Sequence, residues 1–191
     1  NLVPLSAFVV SSANDVQVNN VTTQGTAVAD TIDITATGTI TIDGELATDG
    51  SGINNDAGGI RLDGAIQIDS NATFDTDDGG TGSDGVITLV TGSTVTSNPL
   101  NDFGAIFESG TSNLDLSTVT FTSLDFVRVA AANDVTLGAL LVADGSANPV
   151  NPGFGIDINT AGALTLDSEQ GNVSLTESSR ATAVTDTTVE A

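Results

Sequence analysis

Apolar residues recur at every second position in short runs along most of the chain: "TIDITATGTITIDGEL" (31–46), "IRLDGAIQID" (60–69), "VITL" (86–89), "NLDLSTVTFTSL" (113–124), "FVRVAAANDVTLGALLVA" (126–143) and "FGIDINTAGALTLDSEQGNVSLTE" (154–177). A period of two sends successive side chains to opposite faces of an extended backbone, so each run predicts a strand with one face turned inward. Between the runs lie clusters of Gly, Asn, Asp and Ser, which accept positive φ or bond their own backbone and therefore predict turns. No stretch carries the 3.6-residue period of a helix. The chain reads as a single all-β domain over residues 1–191. Its apolar opening within 1–12, "NLVPLSAFVV", is too short to span a membrane. That opening is read as a first strand or cap, or as a strand donated to a neighbouring subunit.

The turns repeat as well. Asp-Gly stands in "IDGEL" (42–46), "LDGAI" (62–66) and "SDGVI" (83–87), about 20 residues apart each time. A unit of that length cannot bury its own apolar face, but stacked units can, which predicts a parallel β-helix, or β-solenoid, with coils of about 20 residues. At about 4.8 Å between stacked strands, about nine coils would make a rod about 40 Å long. The alternative is an antiparallel β-sandwich, a jelly-roll-like subunit with a donated N-terminal strand, which shows the same alternation without a repeat at coil length.

Composition narrows the chemistry. Net charge is −22, from 25 acids against three arginines, with no lysine, histidine, cysteine, tyrosine, tryptophan or methionine. Nothing in such a chain neutralises phosphates, so nucleic acid and anionic membranes are excluded as partners, and insertion into a membrane is not expected. The common catalytic bases and activated nucleophiles are absent too, which leaves carboxylate chemistry such as polysaccharide cleavage as the one enzymatic route. Asp75 with Asp77 or Asp78 would have to carry it from a Gly-rich loop, with no Trp or Tyr to stack on a sugar, and the chain is read as a non-enzyme.

Cations are the natural partners of so acidic a chain, and an all-oxygen site suits calcium. "GGTGSDGVI" (79–87) fits the calcium-binding nonapeptide G-G-x-G-x-D-x-U-x. Together with "DTDDGG" before it, this stretch proposes Asp75, Asp77, Asp78 and Asp84 as ligands. Weaker sets are Asp49, Asn54 and Asp56, and Asp102 with Glu108. The competing reading is a plain turn, since Asp and Gly form turns without any ion. The preceding copy, "GGIRLDGAI" (58–66), has Arg61 where the nonapeptide needs glycine, which argues against a calcium ladder running from coil to coil. If Asp43, Asp63 and Asp84 shared one corner of successive coils, each like-charged pair about 5 Å apart would cost about 1 kcal/mol, relieved by calcium or by salt. The arginines are expected to pair with nearby carboxylates, "NPVNPG" (148–153) to be a loop, and the sequons at Asn20, Asn71 and Asn172 to arise by chance.

"RVAAANDVTLGALLV" and "INTAGALTLDSEQGNVSLTESS" resemble the repeats of filamentous-haemagglutinin-type and autotransporter passenger proteins, large secreted bacterial surface proteins. The resemblance is clearest over 126–179 and looser over 31–97, while 1–20 and 98–125 match poorly. It implies a right-handed parallel β-helix, secretion to the cell surface or the extracellular space, and a structural or adhesive role with no catalytic residues. The expected function is therefore a rod or fibre subunit that self-associates end to end. An adhesin recognising a glycan or a cell surface is the alternative.

Overall fold

The computed structural model describes residues 5–25, 30–50, 56–77, 83–90, 92–97, 103–138, 140–142, 147–150, 152, 155–160, 163–167, 179–183 and 186–190. Among these there is no helix, and every strand pairing is parallel. The first coil runs through β1 (Phe8–Ala13), β2 (Val16–Val18) and β3 (Val21–Gly25). β4 (Asp30–Ile42) bends across two faces before β5 (Glu45–Gly50), and β6 (Gly59–Ile68) does the same before β7 (Ala72–Asp75). Three-strand coils follow: β8 (Ile87–Leu89), β9 (Thr94–Ser97) and β10 (Ala105–Glu108); then β11 (Leu114–Leu116), β12 (Thr120–Leu124) and β13 (Val127–Ala131). Next come β14 (Val135–Leu137), β15 (Leu140–Val142) and β16 (Ile156–Thr160), then β17 (Ala163–Asp167) and β18 (Ser179–Ala183), after which β19 (Asp186–Glu190) stacks on β17 and opens a further coil.

The chain is thus a β-solenoid with three faces. The first holds β1, the front halves of β4 and β6, and β8, and continues past a break in the ladder through β11, β14, β17 and β19. The second holds β2, the rear halves of β4 and β6, β9, β12 and β15. The third holds β3, β5, β7, β10, β13, β16 and β18. Parallel pairing excludes the antiparallel sandwich. β1 pairs with β4 of its own chain, as an ordinary first strand does.

The inward columns explain why these segments stack. On the first face the rungs read aliphatic-x-aliphatic, Ile32-Asp-Ile34, Ile60-Arg-Leu62, Ile87-Thr-Leu89, Leu114-Asp-Leu116 and Val135-Thr-Leu137, with both flanking side chains buried. The third face contributes Leu46, Phe74, Phe107, Val129 and Ile158 from the opposite wall. Phe74 stacks on Phe107 with ring centroids 5.0 Å apart, and Phe107 meets Phe121 of the second face edge-on at 6.0 Å. Phe126 is buried too, Phe8 and Phe103 pack against the core from its margin, and Phe154 lies outside the described residues.

The coil differs in length from the Asp-Gly spacing. Register partners such as Ile32 and Ile60, or Phe74 and Phe107, lie well over 20 residues apart, while Phe121 and Leu140 lie just under. Among the described residues the rungs are accordingly fewer than about nine, with seven strands on the third face. The Asp-Gly pairs occupy three different places in the coil. Gly44, at φ +131°, makes the corner before β5, where any Cβ would collide with Asn20 Oδ1 of the preceding coil. Gly64 lies inside the bend of β6, and Gly85 crosses the backbone of Gly58 ahead of β8. Asp43, Asp63 and Asp84 therefore do not stack on one another: Asp63 pairs with Thr35 in register, while Asp69 N–H reaches Ile42 C=O and sets Asp69 beside Asp43.

One corner is sealed by hydroxyls. Thr23, Thr48, Thr76, Ser109 and Thr160 are all buried where the third face turns toward the first. Thr48 donates to Gly58 C=O, Thr76 to Gly85 C=O at 2.8 Å, Ser109 to Ser112 C=O at 3.2 Å and Thr160 to Asn133 C=O, while the hydroxyls of Thr23 and Thr31 bond each other at 2.8 Å. These bonds give the buried hydroxyls of the corner their partners. Replacing Thr76 by isosteric Val should destabilise the protein by about 1–3 kcal/mol, because Gly85 C=O loses its partner. The outward Thr73→Val should stay within about 0.5 kcal/mol. Urea unfolding of the two variants measures the difference, and equal midpoints would contradict a sealing role.

Candidate functional site

The third face carries its acids on the outside. Register places Glu45 beside Thr73, Ala47 beside Asp75, and Asp75 beside Glu108. Neighbouring strands are about 4.8 Å apart, so Asp75 and Glu108 form a like-charged pair across one rung. Asp77 N–H donates to Asp75 Oδ1 at 2.9 Å, which folds the chain into a turn directly after β7. The Asp75 carboxyl is half-buried, and loss of water pushes its pKa up to about 6. The charges of Glu108, Asp77 and Glu45 push the same way, against the Asp77 N–H bond.

Asp84 comes to this place from the other side of the loop. The turn after β10 passes through Gly110 at φ +52°, where a Cβ would strike Asp84 Oδ2 and lie 3.1 Å from Asp77 Cγ, so both carboxylates flank that glycine. Asp84 is 6% exposed, and its Oδ2 accepts Thr111 N–H and Thr111 Oγ1–H, each at 2.6 Å. Its main-chain oxygen accepts Ser112 Oγ–H at 2.7 Å. The carboxylate of the nonapeptide thus ties two successive coils together.

Of the expected calcium ligands, Asp75, Asp77 and Asp84 are brought to one locality, with Glu108 added from a cluster that looked separate in sequence. Asp78, Asn54 and Asp102 lie outside the described residues. Asp49 sits at the exposed end of β5 beside Gln24, and Asp56 Oδ1 accepts Ser83 N–H at 2.9 Å as a turn bond. Among the described residues no three carboxylates converge closely enough to hold an ion. Asp84 Oδ2 is the least suited of them, because two donors already point at the oxygen a cation would need.

Arginine works across the rungs. Arg61 reaches Asp33 Oδ1 at 3.0 Å and Asp63 Oδ2 at 2.8 Å, and these hydrogen bonds, Asp33 first, raise its pKa further above the usual value. Arg128 lies between Asp157 at 3.5 Å and Glu108 at 3.9 Å, and Arg180 follows Asp157 in the same column. The amide oxygens of Asn20 and Asn71 accept Glu45 N–H at 2.9 Å and Gly104 N–H at 3.1 Å of the next coil, which gives both sequon asparagines a structural task. Asn172 lies outside the described residues. Asn148 is buried and Asp125 Oδ2 accepts Ala147 N–H at 2.7 Å, so the start of the "NPVNPG" loop is fastened to the body.

Asp75 makes stability depend on pH. Its folded pKa, about 6, lies above its ordinary 3.8, so between these values the folded state holds a proton that the unfolded state has released. Stability should therefore fall as pH rises from about 4 to about 6, by about 1 kcal/mol once screening at a half-exposed group is allowed for. Asp75→Asn keeps the Oδ1 acceptor and removes the charge. It should be more stable than the parent at pH 7 and lack this decline, and urea midpoints from pH 4 to pH 7 that run parallel in the two proteins would contradict the assignment.

Comparison with protein-family models, with curated proteins and with solved structures found no match for this chain.

Proposed function

We propose that this chain is an extracellular structural protein, a rod or fibre subunit of a bacterial surface filament that self-associates end to end. The observation that carries this reading is that, among the described residues, β1 and β2 pair on one side only, with β4. Val18 C=O accepts Asp43 N–H, so the alternate residue Gln17 directs its own N–H and C=O away from β4, toward the other edge of β2. Phe8, Val10 and Val16 are only partly covered, and Leu5 and Val9 are exposed at 48% and 59%. Leu5 bridges to Thr23 beside β3, and among the described residues nothing pairs with the other edge of β1 or β2, an edge that can extend the ladder. An edge of this kind pairs with another strand of the same pattern, and stacked copies would continue the inward columns.

Other supports are chemical. The sequence lacks His, Cys, Lys and Tyr, and every described Phe is packed in or against the core, which favours a structural role over glycan cleavage or an adhesin that stacks sugars on aromatic rings. The like-charged neighbours Asp75 and Glu108, and Asp43 and Asp69, favour a salt-rich setting in which cations, calcium among them, screen the surface.

Gln17→Pro removes an N–H that turns away from β4 and bonds nothing among the described residues, and it is compatible with an edge strand. It should leave the unfolding midpoint nearly unchanged and abolish concentration-dependent assembly seen by light scattering and negative-stain imaging. A parent protein that stays monomeric at every concentration would overturn the fibre reading. Raising NaCl from about 0.05 to about 0.5 M should raise the melting temperature as the acidic columns are screened. A melting temperature indifferent to salt, to calcium and to chelator would overturn that part of the account.

A further inference from the structure

The outward side of the second face differs from the rest of this acidic surface. Its rungs read Thr39-Ile-Thr41, Ala65-Ile-Gln67, Thr94-Val-Thr96 and Thr120-Phe-Thr122, and the central residue of each is buried in the core. The flanking residues therefore point outward, and register aligns them: Thr39 with Ala65, Thr41 with Gln67, Gln67 with Thr96, Thr94 with Thr120 and Thr96 with Thr122. Two straight columns result, repeating at about 6.7 Å along each strand and about 4.8 Å from strand to strand. No outward position on these four rungs is charged, in a chain of net charge −22. The acids stand at the corners, Asp63 on one side and Asp43 and Asp69 on the other.

The hydroxyls of this array are free to face a partner. Among the described residues, those of Thr39, Thr41, Thr94, Thr120 and Thr122 bond no protein group, and Thr96 Oγ1 makes only a long 3.4 Å contact with Ile66 C=O. β-branching leaves each threonine few rotamers, and the buried floor beneath holds their Cα atoms fixed, so methyls and hydroxyls are displayed in set rows. Such a surface suits few partners. On these four rungs it has no charge for an ion or nucleic acid, no aromatic ring for a sugar, and no large apolar anchor of the kind that dominates protein interfaces. What it matches is a neutral hydrogen-bonding partner that is itself periodic in two dimensions.

We propose that the second face binds the surface of ice, its hydroxyls joining the water lattice and its methyls ordering the water between them. This site is distinct from the end of the rod and does not rest on self-association. The test is inhibition of ice recrystallisation by the full chain in frozen sucrose solution. The parent protein should arrest grain growth. Thr94→Tyr, which breaks the flatness of one column, and Thr122→Lys, which brings a hydrated charge into the other, should each lose the effect, with unfolding midpoints and circular dichroism showing the fold retained. Thr136→Tyr, on the outer side of β14 in the first face, should keep it. Grain growth unaffected by the parent, or loss that is equal in all three variants, would overturn the proposal. So would adsorption to insoluble cellulose without any effect on ice, which would mark the face as a neutral-polysaccharide site. Dimerisation abolished by the Thr94 and Thr122 variants, again with no effect on ice, would reassign the face to a second copy.

Discussion

Each residue in a parallel, in-register stack lies about 4.8 Å from its counterparts on the rungs above and below. That single distance governs the composition of every column. An inward column has to be apolar, or polar with its bond already supplied, because nothing beyond the neighbouring rungs can reach it. The aliphatic triplets of the first face meet the first condition, and the Thr and Ser hydroxyls at the sealed corner meet the second. An outward column has to tolerate repetition of its own chemistry. Threonine tolerates it without penalty, whereas carboxylates are relieved by arginine at Arg61 and Arg128 and by a raised pKa at Asp75, or stand side by side as Asp43 and Asp69 do.

The three faces consequently divide the chemistry. The third face collects acids and relieves them by raising one carboxyl pKa and by placing Arg128 between Asp157 and Glu108, while Asp84 in the turn beyond it is held by hydrogen bonds. The second face excludes charge and arrays hydroxyls. The first face carries the Asp33–Arg61–Asp63 group, and its ladder is interrupted between β8 and β11, where the groove of about 630 Å³ is lined in part by Thr88, Asn113 and Asp115. The stack remains continuous there through the second and third faces, since β9 still pairs with β12 and β10 with β13.

Alternation and turn chemistry made the solenoid legible in the sequence, because a period of two and frequent Gly-Asn-Asp corners are local properties. The length of the coil was not legible from Asp-Gly, since an Asp-Gly pair serves a corner at Gly44, a bend at Gly64 and a close crossing at Gly85 without marking the same station. The informative repeat was the aliphatic triplet, whose spacing is obscured by turns of unequal length. In the acidic site, Asp75, Asp77 and Asp84 could be grouped because they are near in sequence, whereas Glu108 joins them through register alone. The sealing hydroxyls were hidden because Thr reads as polar and outward, and only the turn carbonyls brought to Thr48 and Thr76 make an inward position favourable.

Register itself is the most direct thing to measure, and the absence of native cysteine makes it simple. Cysteines placed at Thr96 and Thr122 would occupy adjacent rungs of one column, within the Cα separation a disulfide requires, whereas Gln67 and Thr122 stand two rungs apart, about 10 Å, beyond that reach. Mild oxidation of the purified chain is predicted to close the Thr96→Cys/Thr122→Cys pair quantitatively within one molecule and to leave Gln67→Cys/Thr122→Cys reduced. Crosslinking of the second pair in preference to the first would contradict the stacked, in-register solenoid on which the whole account depends.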